Sequence, residues 1–450
     1  MGRARRTKPF MIVTIEKLIY GGEGLAHHEG STVFVPFVLP GEQVDAAPVE
    51  QKKKFVRAQL SKTLTPSPER VPPPCPHFGT CGGCDYQHIP YEPQLKYKTD
   101  ILRETLRRLG RIDWTGEITA HASPAWGYRN RAQWKVRPLK NPDESDAGNK
   151  AAESSGSPEK PTLEIGYFRA NSTALCTVED CAILSPLLLK TLLSLREALA
   201  AGVFPRTLRE VEAFSDAADS KLILTATFAG FLSRAAELAE KIRRIAPEME
   251  SLLFFDPTRE RMELFGPGIL EYEAAGSKYR VGHFSFFQVN RFLVDELARE
   301  VSEHEEGGRL ALDLFAGVGL FSIPLARRFE RVVAVESNPA ATRDLETNVR
   351  AGGSIEVRTA DVERFLERYK EKPDLVTLDP PRAGLEPGTI KRLAGIAPER
   401  ITYVSCEPPT LARDLAGLRE GGYDVSEVHL FDLFPQTFHM EAVVRLKRRP

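Results

Sequence analysis

No stretch of this chain is apolar over the roughly 20 residues that a bilayer-spanning helix needs. The opening residues, M-G-R-A-R-R-T-K, hold no apolar core of a secretory signal, so the cytoplasm is the expected compartment. Net charge is nearly absent: 61 Lys and Arg against 62 Asp and Glu leave −1, which argues against indiscriminate coating of nucleic acid. Cysteine is scarce, six in 450 residues, which in a cytosolic protein points to metal binding or catalysis rather than a disulfide framework. A full G-x-G-x-x-G fingerprint is missing too, because Ser322 stands where the third glycine would be. What remains is an ordinary globular composition, 42% hydrophobic and 27% charged, long enough for two to four domains.

Taken in order, residues 10–62 read as four or five short strands with glycine turns, the pattern of a small barrel. Residues 1–62 carry ten Lys or Arg against six Asp or Glu, with Lys52, Lys53 and Lys54 adjacent, a surplus suited to phosphate contact. Phe34, Phe37 and Phe55 either stack bases or fill the barrel core. After a proline-rich hinge, Cys75, Cys81 and Cys84 stand in C-x5-C-x2-C spacing, with Gly79, Gly82 and Gly83 freeing the backbone to wrap a metal. A fourth soft ligand must then come from Cys176 or Cys181, while His77 and His88 keep a zinc site as the alternative. Leu95–Leu109 carries a helical apolar stripe that reads as packing. The strands around 128–139 and 163–170 bring Arg129, Arg131, Lys135, Arg137 and Arg169 together with Tyr128 and Trp134, an expected RNA face. Between them, 140–161 has the polar composition of a disordered insertion. Ser185-Pro186 caps a Leu-rich helix, and residues 208–275 read as mixed α+β.

From residue 284 strands and helices alternate, which predicts a doubly wound parallel sheet. Its first loop, D-L-F-A-G-V-G, contains Phe315 and Gly317, and Glu336 ends the second strand, where it can accept both hydroxyls of a ribose. The missing third glycine disfavours NAD and suits a ligand without a pyrophosphate; S-adenosylmethionine fits, with Asp361 after the third strand placed to meet the adenine. Asp379 opens D-P-P-R at the next strand end, resembling the D-P-P motif of methyltransferases that hold a nucleobase. Arg382 stands where an amino-methylating enzyme has an aromatic residue, which leaves a cysteine-dependent reaction. In I-T-Y-V-S-C-E-P-P-T, Cys406 lies at the carboxyl end of a strand that Pro408 and Pro409 stop. C5 of a pyrimidine becomes nucleophilic once a thiolate adds to C6, and a base must then remove the C5 proton. Glu441 is favoured over His439 as that base, because a carboxylate entering a strand of Ala442, Val443 and Val444 is raised toward a useful pKa by burial.

The four stretches D-L-F-A-G-V-G, L-D-P-P-R-A-G, V-S-C-E-P-P-T-L-A-R-D and D-L-F-P-Q-T-F-H-M-E resemble the RNA uracil-C5 methyltransferase family. Residues 8–62 resemble its TRAM domain, an OB-like RNA-binding barrel, and the domain order is similar to members acting on 23S rRNA. The resemblance implies a multidomain α/β protein: TRAM barrel 8–62, α+β middle domain with a metal cluster over 63–282, and Rossmann-like class I methyltransferase domain 283–450. It implies Cys406 as nucleophile and Glu441 as base, with Gln288, Phe315, Gly317, Glu336, Asp361 and Asp379 about S-adenosylmethionine. It also implies a 4Fe–4S cluster on Cys75, Cys81, Cys84 and Cys181, leaving Cys176 spare. RNA is the implied partner, 23S rRNA first and the T-loop uridine of tRNA second, with no membrane and no obligate protein partner. A non-catalytic iron–sulfur RNA-binding protein is the non-enzyme reading, which the presence of both Cys406 and Glu441 argues against. Two positions depart from the family pattern: Leu320 replaces a common Asn, and Glu407 replaces the Asn after the cysteine. An ionised Glu407 beside the thiol is expected to raise its pKa.

Overall fold

Short β-branched strands dominate the amino-terminal segment, and six of them pair where the sequence predicts four or five. The computed structural model describes residues 10–138, 163–230, 232–303, 306–351 and 354–450, so the 140–161 insertion lies outside the described residues. The chain forms two compact units. The first comprises residues up to Gly79, Gly83–Ala125 and Phe292–Pro450; the second comprises Thr80–Gly82 and Trp126–Arg291.

In the first unit, six strands between Met11 and Thr65 form one sheet in the spatial order Met11–Thr14, Gln43–Gln51, Phe55–Thr65, Ser31–Pro36, Glu23–His28, Lys17–Leu18. Its interior is small and β-branched: Val13, Val33, Val35, Val44, Ala46 and Val56. Gly24 is required there, because a Cβ would lie 2.4 Å from Val38 Cγ2. Phe34 and Phe55 are only half-buried, with ring centroids 6.0 Å apart and the Arg57 guanidinium 5.7 Å from the Phe34 ring. They belong to the sheet's outer side and not to its core.

The carboxy-terminal sheet has eight strands. Its order is Ile355–Thr359, Phe329–Glu336, Gly308–Leu314, Leu375–Leu378, Arg400–Ser405, Glu441–Arg448, Tyr423–Phe431, Thr119–His121. The first five strands are mutually parallel and Glu441–Arg448 runs antiparallel to its neighbours. Strands buried on both faces read as continuous apolar runs, and L-V-T-L at Leu375–Leu378 is wholly buried. Residues 83–125 belong with this sheet and not with the middle of the chain. The helix Tyr91–Gly110 packs on the helix Pro408–Glu420, and Thr119–His121 adds the outermost strand.

The second unit holds a seven-stranded sheet, with the helices Pro186–Ala200 and Ala235–Ile245 covering it. Ser185 caps the first helix as its sequence predicts, its hydroxyl accepting from Leu188 N at 3.3 Å. The expected RNA face on this unit is corrected by the packing. Tyr128 and Trp134 are completely buried, since the side chains of the strand Arg131–Pro138 alternate and its tryptophan falls on the core side. Arg131 donates to Glu212 at 2.6 Å and to Ser285 O at 2.7 Å, and Lys135 pairs with Glu210. These cations are largely answered within the protein.

Candidate active site

Where the strand Gly308–Leu314 ends, three alternate residues take left-handed backbone: Phe315 (φ +66°), Gly317 (+55°) and Gly319 (+96°). Such geometry is strained for a phenylalanine and natural for glycine. A Cβ on Gly319 would lie 2.7 Å from Leu345, whereas one on Gly317 would meet nothing within 4 Å, so Gly317 borders open space. Glu336 ends the adjacent strand. Its Oε2 accepts from Gly317 N at 2.9 Å and its Oε1 from Asn338 N at 2.6 Å, which fixes the carboxylate with lone pairs to spare. Ser322, the residue that breaks the dinucleotide fingerprint, donates its hydroxyl to the buried Asp313. Burial pushes Asp313 up to about 7, and burial together with Asp313 pushes Asp379 up to about 7. Asp361 is exposed and caps the helix Val362–Arg368, accepting from Arg364 N at 3.1 Å. Gln288 is buried in the second unit, and Leu320 is buried in the first.

Cys406 follows the strand Arg400–Ser405, and the helix begun by Pro408 turns the chain away. The register pairs Ser405 with Ala442, so one further step sets Cys406 opposite Glu441. Burial, then the Glu441 carboxylate, pushes the Cys406 thiol up to about 12, while the Arg382 guanidinium pulls it down. Glu441 is buried, and that burial holds its carboxyl well above the usual carboxylate range; Asp379 adds to this and Arg382 opposes it. Thiol and carboxyl therefore share one cation, Arg382, whose place beside them the D-P-P-R motif did not disclose. The rival base, His439, has its ring on Phe438 at a centroid distance of 4.1 Å. Glu407 is not among the groups that shift the thiol most, which are Glu441, Arg382 and Asp379; its Oε2 accepts a hydrogen bond from the Tyr20 hydroxyl at 3.0 Å.

The segment that carries Glu441 into place is clamped from the helix Tyr91–Gly110. Lys98 is completely buried, and its three protons reach Asp432 at 2.6 Å, His439 O at 2.8 Å and Phe434 O at 3.0 Å. Gln94 exchanges two 3.0 Å hydrogen bonds with Gln436, a residue held at φ +69°. The helix read as mere packing is thus a support of the site, and the signal that marked it was a lysine and a glutamine on its apolar face.

Of the cysteines, Cys81 and Cys181 both border Tyr167 in the second unit. Burial raises the Tyr167 hydroxyl and the two thiols add to the effect. Cys81 lies in a short bridge to Arg169, flanked by Gly82 N to Phe168 O and Ala170 N to Thr80 O, each 3.0 Å. Cys75 belongs to the first unit, where its N–H donates to Gln87 Oε1 at 3.2 Å, and Cys84 belongs there too. Cys176 is buried in the core of the second unit. His88 is also buried, its Nε2 3.3 Å from Val38 O and its pKa pushed down to about 4 by burial, while its Nδ1 has no hydrogen-bond partner among the described residues. A separate trio, His121, Glu300 and His429, has ligand-like spacing. There the Arg445 guanidinium donates to Glu300 at 2.6 Å and lies 3.1 Å from His429 Nε2, so a fixed cation already fills the centre.

A family model described as tRNA (Uracil-5-)-methyltransferase matches residues 269–449, and one for the TRAM domain matches residues 11–61. The chain is 33% identical over 450 residues to the 23S rRNA (uracil(1939)-C(5))-methyltransferase RlmD of Klebsiella pneumoniae, covering 98% of this chain and 97% of that protein. It is 32% identical to an uncharacterized RNA methyltransferase of Aquifex aeolicus, over 98% of this chain and 99% of that one. Among solved structures it is similar to the Pyrococcus abyssi tRNA (uracil-54, C5)-methyltransferase in complex with S-adenosyl-L-homocysteine. The TM-score is 0.74 at 26% identity, covering 96% of this chain and 99% of that chain.

Proposed function

The chain belongs to the RNA (uracil-C5)-methyltransferase family, whose members are S-adenosylmethionine-dependent enzymes, and from that premise we propose that it methylates C5 of a uridine in 23S rRNA through a covalent bond between Cys406 and C6. The observation that carries the proposal is the pairing of a half-buried thiol with a buried carboxyl across one strand register, with Arg382 beside both. The parallel strand order supports reading the carboxy-terminal sheet as a Rossmann-like class I domain, with the ligand at the carboxyl ends of its strands. Glu336, Gly317, Phe315 and Asp379 fit the ribose and sulfonium ends of S-adenosylmethionine; Asp361 and Gln288 complete the proposed set. That cofactor supplies an electrophilic methyl group.

The steps fall to the protein's own groups. Cys406 adds to C6 as the thiolate, its proton already lost to solvent, and the electron pair of the C5–C6 double bond moves toward O4 as an enolate. Arg382 is the cation at hand for that developing charge. C5 then takes the methyl group. Glu441 accepts the proton that C5 loses, for which its raised pKa suits it, and the returning electron pair expels the Cys406 thiolate.

The 4Fe–4S cluster belongs to the same proposal, on Cys75, Cys81, Cys84 and Cys181. Four thiolates match the donor set such clusters take. Anaerobically purified protein should hold about four iron atoms per chain.

A second reading, the T-loop uridine of tRNA, is favoured by the similarity to the Pyrococcus abyssi tRNA enzyme. Incubating the protein with methyl-labelled S-adenosylmethionine and either 23S rRNA or tRNA, both lacking the modification, separates the two. Label in 5-methyluridine of the rRNA is expected. Label confined to tRNA would transfer the assignment, and label in neither would end it.

A further inference from the structure

The amino-terminal sheet reaches the reacting cysteine. The turn Ile19–Gly22 is closed by Gly22 N to Ile19 O at 3.3 Å and by Ile19 N to Glu23 O at 3.0 Å, with Gly21 at φ +104° and Gly22 at +80°. A Cβ on Gly22 would lie 3.2 Å from both Asp85 Cβ and Phe438 Cδ1, a tight contact at a left-handed φ that already favours glycine. The Tyr20 ring stands at 90° to the Phe438 ring with centroids 5.4 Å apart, three residues before Glu441. Its hydroxyl donates to Glu407 Oε2 at 3.0 Å and lies 3.5 Å from Cys406 O. Tyr20 is partly buried, and burial with the Glu407 charge raises its hydroxyl far above neutrality, so it remains a donor at working pH.

We propose that Tyr20 is a positioning residue for the Cys406 reaction, holding the carboxylate of the adjacent Glu407 away from the thiol. The inference rests on the covalent role proposed for Cys406 and extends it to a residue of the TRAM domain. The chemistry is simple. A carboxylate one residue from a nucleophilic thiol opposes thiolate formation in proportion to its closeness. The charged and titratable groups that face Cys406 are Glu441 from the last strand, Arg382 and Asp379 from the loop after Leu375–Leu378, and Tyr20 with Glu407. Glu441 and Asp379 already oppose ionisation and Arg382 alone favours it. A third free carboxylate would tip this balance further, and the Tyr20 hydrogen bond is what turns Glu407 aside.

The test is the pH dependence of Cys406 alkylation in the full-length protein, without RNA or cofactor. Short pulses of iodoacetamide are followed by quantitation of the tryptic peptide Ile401–Arg413. In the unmodified protein the rate should climb about tenfold per pH unit through the neutral range, as for a thiol still mostly protonated. Tyr20→Phe, which keeps the ring on Phe438, should slow alkylation about 3- to 10-fold at each pH, the effect of a thiol raised by half to one further unit. Tyr20→Phe combined with Glu407→Gln should restore the rate, because no charge is left to swing toward the sulfur. A purely structural role for Tyr20 would leave the double variant as slow as the single one, and that result overturns the proposal, as does a Tyr20→Phe profile that superimposes on the unmodified one. Alkylation needs no turnover. The rescue pattern without methyl transfer would therefore sink the enzymatic assignment and leave the role of Tyr20 standing.

Discussion

Protein carrying Glu441→Gln, mixed with RNA and S-adenosylmethionine, is expected to accumulate a protein–RNA species that survives denaturing electrophoresis. The reason is the division of labour between two residues on neighbouring strands. In the proposed mechanism Cys406 begins the reaction and Glu441 ends it, so removing the base should trap the chain on C6 after the methyl group has arrived. Gln is nearly isosteric with Glu and keeps the buried site filled. Turnover should fall by about 10²–10⁴-fold, the usual worth of a general base. Cys406→Ala in the same background should abolish the band. Cys406 alkylation offers an internal control: Glu441 is the carboxylate that most raises the thiol, so alkylation should be faster in Glu441→Gln than in the unmodified protein. Full activity with no adduct would move the base elsewhere, His439 first.

Lys98→Met removes one side chain far from the chemistry and should disable the site. Its ammonium is wholly buried and is bound by Asp432 and by two carbonyls of the segment that delivers Glu441. Losing it leaves Asp432, itself fully buried, without its cation, and breaking such a pair from one side costs about 3–5 kcal/mol. The melting midpoint of the first unit should drop on the order of 10 °C. Methyl transfer should fall further than stability alone requires, because Phe434 O and His439 O lose their common donor and the approach to Glu441 loosens. Asp432→Leu added to Lys98→Met should recover stability, since the buried carboxylate is gone, without recovering the carbonyl contacts. Melting curves and methyl-transfer rates on the three proteins read out both effects. An unchanged midpoint in Lys98→Met would show that the clamp is not needed.

Much of this site was legible in the sequence because its signals are local. A β-branched run stopped by two prolines puts Cys406 at a strand end, and an acidic residue closing the next strand after a glycine loop marks Glu336. The register that sets Glu441 across from Cys406 follows from the strands on either side. What could not be read depends on contacts between distant residues. Nothing near Tyr20 announces that it meets Glu407, 387 positions later, nor near Lys98 that it meets Asp432. Trp134 looked like a stacking residue among cations. Which side of the sheet it falls on is decided by pairing with Leu208–Ser215, and its neighbours there supply the carboxylates that answer Arg131 and Lys135. Likewise the strand Thr119–His121 carries only three residues, too short for a periodicity, yet it completes the sheet.

The most direct test of the central claim uses RNA whose uridines carry tritium at C5. Methylation at that carbon must expel its hydrogen, so the account predicts one tritium released to solvent for each methyl group transferred, in the unmodified protein, and none in Cys406→Ala. Methyl transfer to RNA without tritium release would mean that another atom is the acceptor, and the roles given to Cys406 and Glu441 would fall together.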